Sequence, residues 1–300
     1  MKDWKVYIRN IIIVILSVVV FKTLFLTSCF IPSTGMENSL YKGEGIFVGK
    51  WSYGFRVPFQ SFLGYHRILK RTVEKGDIIV FNNPLPSDTL QSIENCELYI
   101  SRCVGLPGDT IMLDNQLMTI TSEVYSPDSK NLYSYQSSSE ELLCEILLSL
   151  GIKENNLMGY TSEGNYIRSF SYYEFYLISQ RLAGKINFTK LNGEGRALPF
   201  VVPKKGQNIH IYPWSANLIK NMIVYHENRS AFIKEDTVYL DGNPIDSYTF
   251  SKDYYWVMSD NPVNTNDSRL FGFVPETHIV GKALRIWYPS EKERFMQKIK

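Results

Sequence analysis

Residues 30–40 read Phe30-Ile31-Pro32-Ser33-Thr34-Gly35-Met36-Glu37-Asn38-Ser39-Leu40 and directly follow a long apolar segment. Hydroxyl-bearing side chains surround a glycine in this stretch, and the glycine itself has no side chain with which to react. On the C-terminal side, the turn-like residues 42–45 lead to Ile46-Phe47-Val48, where we expect a strand to begin. The stretch therefore joins an apolar N-terminus to a region of strand patterns.

The apolar segment has the length of a membrane span. It runs from Ile11 to Phe21 and resumes after Lys22 as far as Ile31. A bilayer core is crossed by about 20 helical residues, so residues 10–31 are predicted to be a transmembrane anchor. The positive residues of 1–9 precede it, which places the N-terminus in the cytoplasm and the rest of the chain outside. These residues are Lys2, Lys5 and Arg9.

A cleaved signal is the alternative interpretation of the same segment. Leu26-Thr27-Ser28-Cys29 resembles a bacterial lipoprotein cleavage box, in which Cys29 would become the acylated terminus. Lys22 interrupts the apolar region just before that box, which favours the uncleaved anchor.

Composition indicates a globular chain rich in strands. The 300 residues include 20 Tyr and 17 Phe, residues common in β-structure, and the formal net charge is only +2. We see no basic block typical of a nucleic-acid surface. The cysteines fit neither a zinc motif nor a redox pair, and Cys96 and Cys103 are interpreted as buried thiols or a disulfide.

Three further motifs follow in the chain. Lys75-Gly76-Asp77 begins a turn and an apolar strand through Phe81, and a second strand, residues 97–104, ends in Gly105-Leu106-Pro107-Gly108-Asp109. An apolar strand at residues 254–258 leads into Ser259-Asp260-Asn261-Pro262-Val263-Asn264-Thr265-Asn266-Asp267-Ser268-Arg269. A closing strand runs from Ile279 to Trp287, after an Asp241-Gly242 hairpin signal.

Residues 122–200 differ from this pattern and predict a helical insertion. Ser138 with Glu141, and Ser171 with Glu174, have the spacing of capping boxes ahead of apolar runs, and Gly184 can end the second helix. The charged tail, residues 291–300, is expected to be solvated.

These motifs, in this order, resemble the boxes of bacterial signal peptidase I, the membrane protease that removes signal peptides. The family patterns are I-P-S-x-S-M-x-x-T-L, R-G-D-I-V-V-F, Y-x-K-R-x-x-G-L-P-G-D and G-D-N-R-x-x-S-x-D-S-R. The resemblance implies a mainly β, antiparallel signal peptidase I-like domain at residues 32–121 and 201–290, with the N-terminal transmembrane helix and the insertion added.

The resemblance also assigns roles, residue by residue. The nucleophilic serine falls at Gly35 and the general-base lysine at Ser101, so neither catalytic side chain is present. Ser33 keeps the hydroxyl used in the oxyanion hole, and Thr265 replaces the serine that supports the lysine. Structural ion pairs are implied between Arg102 and Asp260 and between Asp267 and Arg269. No metal or cofactor is implied.

The hypothesis is a membrane-anchored, catalytically inactive signal peptidase I-like protein of the bacterial inner membrane. Its partners would be signal peptides or pre-proteins, or an active signal peptidase or the secretion machinery. The alternatives are an active serine endopeptidase with an unrecognised nucleophile, and a membrane-anchored lipoprotein scaffold.

Overall fold

The computed structural model describes residues 2–57, 60, 64–85, 91–113, 117, 130–152, 155–182, 184–191, 198–261, 263 and 266–299. The strands, in chain order, are β1 (Leu26–Phe30), β2 (Gly45–Gly49), β3 (Phe55–Arg56), β4 (Arg67–Ile68), β5 (Ile78–Asn82), β6 (Leu98–Gly105), β7 (Thr110–Leu113), β8 (Lys130–Tyr135), β9 (Gly159–Tyr160), β10 (Tyr166–Ser171), β11 (Thr189–Lys190), β12 (Leu198–Val201), β13 (Asn208–His210), β14 (Ala231–Lys234), β15 (Thr237–Leu240), β16 (Asn243–Ile245), β17 (Ser247–Thr249), β18 (Tyr254–Met258), β19 (Val274–Pro275) and β20 (Ile279–Tyr288). The α-helices are α1 (Lys2–Leu24), α2 (Glu140–Ser149), α3 (Tyr172–Leu182), α4 (Ala216–Tyr225) and α5 (Ser268–Phe271).

The largest sheet of the described chain is antiparallel and has the strand order β1-β2-β20-β5-β6-β18-β19. Its inner strands β5 and β18 are buried along their whole length, as their apolar sequences predict. Irregularities in register between β2 and β20 and between β20 and β5 increase the local twist and help the sheet to curl. The mainly antiparallel β-fold agrees with the prediction.

Separate apolar clusters cover the sheet. One contains Ile31, Met36 and Leu40 from the 30–40 stretch, which anchors that stretch to β2, β5 and β20. Another is built around Phe81, Val257 and Phe271 on β5, β18 and α5. A third joins α4 to Trp256 and to the hairpin of β15 and β16, whose turn residues Asp241 and Gly242 have positive φ. The Asp-Gly hairpin prediction is therefore confirmed.

The insertion is more than helical. Both predicted helices are present as α2 and α3, but they pack on an antiparallel sheet of order β11-β8-β10-β9 that the sequence analysis did not predict. Its strands are short and carry aromatic residues that form the insertion's own core, with Tyr133 stacked on Phe175 at 4.1 Å between ring centroids. The helical description of residues 122–200 is corrected to a mixed one.

The two predicted capping boxes have different outcomes. Ser171 and Glu174 form the reciprocal pair, with the Ser171 N–H donating to Glu174 at 2.7 Å and the Glu174 N–H donating to the Ser171 hydroxyl at 3.1 Å. The box at Ser138 is wrong, because α2 begins at Glu140 after a 3₁₀ turn and its N-cap, Ser139, makes no side-chain cap bond.

The N-terminal segment divides into a helix and a strand. Helix α1 ends at Leu24, and Leu26–Phe30 pairs with β2, so the predicted anchor of 10–31 is not helical to its end. Cys29 lies inside this strand, and all the cysteines, including Cys96 and Cys103, are free thiols. In the portion of the chain that the structure describes, no helix meets the length and hydropathy of a membrane span.

In the C-terminal tail, residues 291–293 and 295–298 are exposed, whereas Arg294 and Ile299 contact the domain. Ile299 is buried in the cluster that holds the 30–40 stretch, and Arg294 pairs with the fully buried Glu44 at 2.8 Å. Burial opposes ionisation of Glu44, but the hydrogen bond and charge of Arg294 and the Tyr41 N–H lower its pKa below the usual value. Arg294 also donates to the Ser39 carbonyl at 2.9 Å, so the tail supports the end of the loop described next.

Candidate functional site

The loop of residues 33–40 is a series of tight turns held by buried apolar side chains. Met36 and Leu40 are 1% and 0% exposed. Backbone bonds close the turns, from the Glu37 N–H to the Thr34 carbonyl at 3.1 Å and from the Leu40 N–H to the Met36 carbonyl at 2.6 Å. The loop therefore has a defined shape without any ligand.

Gly35 occupies the position that the resemblance assigns to the nucleophile. It is buried, its N–H donates to the Ser33 hydroxyl at 3.4 Å, and its carbonyl accepts the Asn261 N–H at 2.9 Å. Gly35 does not have the positive φ that would require glycine. The φ angle of Gly35 therefore does not require glycine, so the backbone conformation does not explain why a serine is absent here.

Ser101 occupies the position assigned to the general base. It lies on β6 opposite Ile79 and is 0% exposed. Its hydroxyl donates to the carbonyl of the preceding residue, Ile100, at 2.7 Å. A serine so engaged offers no amine and no strong base to a neighbouring group.

Strand β6, which carries Ser101, is paired along only part of its length on the side of β18. In the described part of the chain, the ladder between β18 and β6 ends at the pair Met258–Arg102. Residues 98–101 continue to pair with β5 on the other side. Among the described residues, no strand pairs with them on the β18 side, where Leu98 is exposed and Ser101 is buried.

Arg102 connects several parts of the site through hydrogen bonds. Its guanidinium contacts Asp260 through two nitrogens, both at 2.8 Å, and it donates to the Gly76 carbonyl at 2.7 Å and to the Ser39 hydroxyl at 3.0 Å. Ser39 in turn donates to Asp260 at 2.6 Å. The Arg102 and Asp260 side chains are 3% and 2% exposed, so this bidentate pair connects the 33–40 loop, β6 and the end of β18 inside the protein.

A second ion pair holds the segment after β18. The fully buried Asp267 accepts from Arg269 at 2.7 Å and from the Ser259 N–H at 2.8 Å, and it also caps α5 through the Arg269 N–H. Ser268 accepts the Val257 N–H at 2.9 Å. Thr265, predicted to belong to the site, lies outside the described residues.

The sequence analysis missed a buried lysine that the insertion brings to this site. Lys130, at the start of β8, donates through Nζ to Glu37 at 2.8 Å, and its backbone N–H donates to the Asp260 carbonyl at 2.7 Å. The Asn261 amide also donates to Glu37, at 3.1 Å. Nothing in the sequence indicated this pair, because its partners are 93 positions apart, Glu37 stands at a variable position of the 30–40 motif, and Lys130 lies in the insertion.

The structure thus brings Ser33, Gly35, Arg102 and Asp260 into one connected network, with Ser101 adjacent to Arg102 on β6. Asp267 and Arg269 support it from α5. Among the described residues, no group of three or more His, Cys, Asp or Glu side chains is arranged to hold a metal ion.

Comparison with known proteins identifies the class. The sequence profile of the family described as "Signal peptidase, peptidase S26" matches residues 4–288, so this chain belongs to that family. It is 29% identical over 265 residues to the signal peptidase I of Buchnera aphidicola subsp. Acyrthosiphon pisum, covering 87% of this chain and 68% of the relative. The signal peptidase I of Haemophilus influenzae is 26% identical, with 93% and 68% covered, and that of Aquifex aeolicus is 24% identical, with 95% and 84% covered.

Proposed function

We propose that this chain is a non-catalytic member of the signal peptidase family that binds the signal peptides of secreted proteins. The observation that carries the proposal is the pair Gly35 and Ser101 at the positions assigned to the nucleophile and the base. Neither side chain can perform the step assigned to its position, whereas the surrounding network is intact.

The chemistry requires both groups together. A serine hydroxyl is a weak nucleophile until a neighbouring base removes its proton. Loss of one member of such a unit lowers kcat by about as much as loss of the whole unit, around a millionfold. Here both side chains are absent, so the oxyanion donors that are present can give at most a small acceleration.

Two nearby hydroxyls and one amine hold hydrogen bonds to neighbouring groups, which argues against their use as nucleophile or base in an active endopeptidase. The Ser39 hydroxyl lies between Asp260 and Arg102. The Ser33 hydroxyl accepts the Gly35 N–H. The Lys130 Nζ already donates to Glu37 at 2.8 Å.

Peptide binding is supported by the open side of residues 98–101. An extended chain can add to a strand edge through main-chain hydrogen bonds, with specificity set by pockets for alternate side chains. Leu98 is 40% exposed at the outer end of this edge, while Ser101 is buried at its inner end. A bound peptide would therefore run inward along β6 towards Gly35.

We also propose that α1 anchors the chain in the bacterial inner membrane, with the N-terminus in the cytoplasm and the β-domain outside. The support is the exposure of its aliphatic surface, with Ile11, Leu16 and Phe21 being 58%, 61% and 54% exposed. Such an apolar helix surface is unfavourable in water and stable in lipid.

Binding of a fluorescently labelled signal peptide to the purified full-length chain tests the proposal. We expect saturable binding and no cleavage product. Leu98→Asp should weaken binding about tenfold, because a charge at a strand edge opposes pairing. The matched control is Leu148→Asp on α2, where the leucine is 81% exposed and belongs to the insertion.

Two results would overturn the proposal. Equal affinities for both variants and the wild-type chain would show that the peptide does not use β6. Cleavage of the peptide by the wild-type chain would show that another nucleophile operates.

A further inference from the structure

An apolar groove of about 360 Å³ lies where α1 meets the β-domain. It is lined by Phe21 and Phe25 from the end of the N-terminal segment and by Trp51, Phe55 and Leu69 from the β-domain. Phe25 contacts Phe55 edge to face, at 5.1 Å between ring centroids. Leu69 and Phe21 are 72% and 54% exposed, so the groove is open on one side.

Two basic side chains, Arg71 and Lys50, lie at or beside the groove. Arg71 is exposed and forms part of its lining. Lys50 follows β2 and donates to the Lys22 carbonyl at 3.4 Å. Burial, and then the neighbouring charges of Arg56 and Lys22, lower the pKa of Lys50. Several cations therefore lie close together in this region. An apolar slot edged by cations complements an amphipathic anion.

We propose that this groove binds one anionic phospholipid, with an acyl chain along Phe25, Trp51 and Phe55 and the phosphate near Arg71. The inference rests on the proposed membrane anchorage of α1, because the groove continues from the exposed apolar surface of that helix. The groove would then lie at the level of the lipid headgroups, where Arg and Lys attract anionic lipids.

The direction of the neighbouring cation supports Arg71 as the phosphate contact. Lys70 turns to the acidic pair Asp253 and Glu276, at 3.2 and 2.6 Å. Arg71 lines the groove instead. The adjacent side chains therefore have different partners, and of these two Arg71 is the one placed to contact a lipid phosphate.

Tryptophan fluorescence gives a direct test on the full chain in phosphatidylcholine nanodiscs. Brominated phosphatidylglycerol or, for comparison, brominated phosphatidylcholine is added at equal mole fraction as a contact quencher. The difference between wild type and Trp51→Phe reports the groove. The difference between wild type and Trp4→Phe reports membrane contact of α1, since Trp4 lies on that helix and is 71% exposed.

We expect the Trp51 signal to be quenched at a lower fraction of the anionic lipid than of phosphatidylcholine. Arg71→Gln should raise the anionic fraction needed for half-maximal quenching about fivefold, the contribution of one basic residue near an anionic surface. Lys70→Gln removes the same charge from the neighbouring position and should leave that fraction unchanged. An unchanged thermal midpoint in each variant shows that the groove is still formed.

The outcomes separate the groove from the anchor. Quenching of Trp4 with equal effects of both lipids on Trp51 would overturn the lipid site and leave the anchor standing. Equal effects of Arg71→Gln and Lys70→Gln would also overturn the site, because lipid binding would then depend on net positive charge and not on Arg71. Absence of quenching at Trp51 would overturn the lipid site, and absence at both tryptophans would also contradict membrane contact of α1. Quenching of Trp51 alone would support the site, because Trp4 precedes the predicted span of residues 10–31.

Discussion

The supporting network of this site and its two reaction positions differ in the side chains that they carry. The network consists of Arg102, Asp260 and Ser39, joined by hydrogen bonds, and of the separate Asp267–Arg269 pair, which holds the Ser259 N–H beside Asp260. The reaction positions, Gly35 and Ser101, carry no group that could start the reaction. Under the proposed function, the site keeps the frame of a peptidase without its reactive side chains.

Stability explains why the two regions can diverge. Removing one partner of a buried ion pair leaves an uncompensated charge, so the network is held in place by the fold itself. A serine and a buried lysine have no such protection, since burying an amine costs free energy that only activity would justify. Loss of both can occur with little change in the frame around them.

The largest effect should follow from breaking the network. We expect Asp260→Ala to lower the free energy of unfolding by about 3–5 kcal/mol, because Arg102 would remain buried without its carboxylate. The control is Arg229→Ala, which breaks the pair with Asp241, whose side chains are both 49% exposed, and it should cause a much smaller loss. Urea unfolding of both variants measures the difference, and similar losses would refute the distinction.

The link to the insertion should give the next largest effect. Lys130→Met leaves Glu37 buried with only the Asn261 amide, and we expect a loss of about 2–4 kcal/mol. The double variant Lys130→Met/Glu37→Leu removes both charges and should be more stable than Lys130→Met alone. A double-mutant cycle checks this, and additive losses would mean that the pair does not interact.

Acid sensitivity should come from outside both regions. His226 is buried, donates through its ring to the Pro84 carbonyl at 2.8 Å, and has a pKa lowered to about 4 by burial and, to a lesser extent, by Lys252. An unfolded histidine takes up its proton near pH 6.5, so the unfolded state binds more protons between these values. This contribution, about 2–3 kcal/mol, is present above pH 6.5 and is lost as the pH falls towards 4.

His226→Gln keeps a donor for Pro84 and should reduce the slope of the stability profile across that pH window. The remaining slope should come from the neighbouring buried His278, whose pKa is also lowered by burial. His210→Gln, at an exposed histidine, should leave the slope unchanged. An unaltered slope in the His226 variant would assign the acid sensitivity to other groups. Thermal unfolding across this pH range supplies the measurement.

The smallest effect on activity should come from restoring one reaction position alone. Gly35→Ser supplies a nucleophile without a base and Ser101→Lys supplies a base without a nucleophile, so we expect both variants to remain at background cleavage. Any gained cleavage should appear only in the double variant. Cleavage by either single variant equal to that of the double would contradict the assigned pairing.

Much of this molecule was predictable from its sequence. The turn residues Asp241 and Gly242 gave the hairpin, apolar runs gave β5 and β18, and the Ser171–Glu174 spacing gave the start of α3. Four ordered motifs gave the family. Such signals are local or rest on unbroken residue patterns.

The rest depends on contacts between distant residues. The insertion's sheet was missed because β9 and β11 have only two residues each and the capping-box spacings favoured helices. Residues 26–30 read as the end of an apolar span and became a strand because β2 offers them a pairing edge. The Lys130–Glu37 pair and the pairing of Arg294 in the tail with Glu44 are tertiary contacts that no local pattern predicts.

The central claim is tested most directly by incubating a pre-protein with the purified wild-type chain, freed of any co-purifying peptidase, and measuring the mature product. We predict no product above that of a protein-free sample, together with retained binding of the same pre-protein. Robust cleavage by the wild-type chain would contradict the non-catalytic function. If that cleavage survived Ser33→Ala, Thr34→Ala and Ser39→Ala individually, it would also show that the site lies elsewhere.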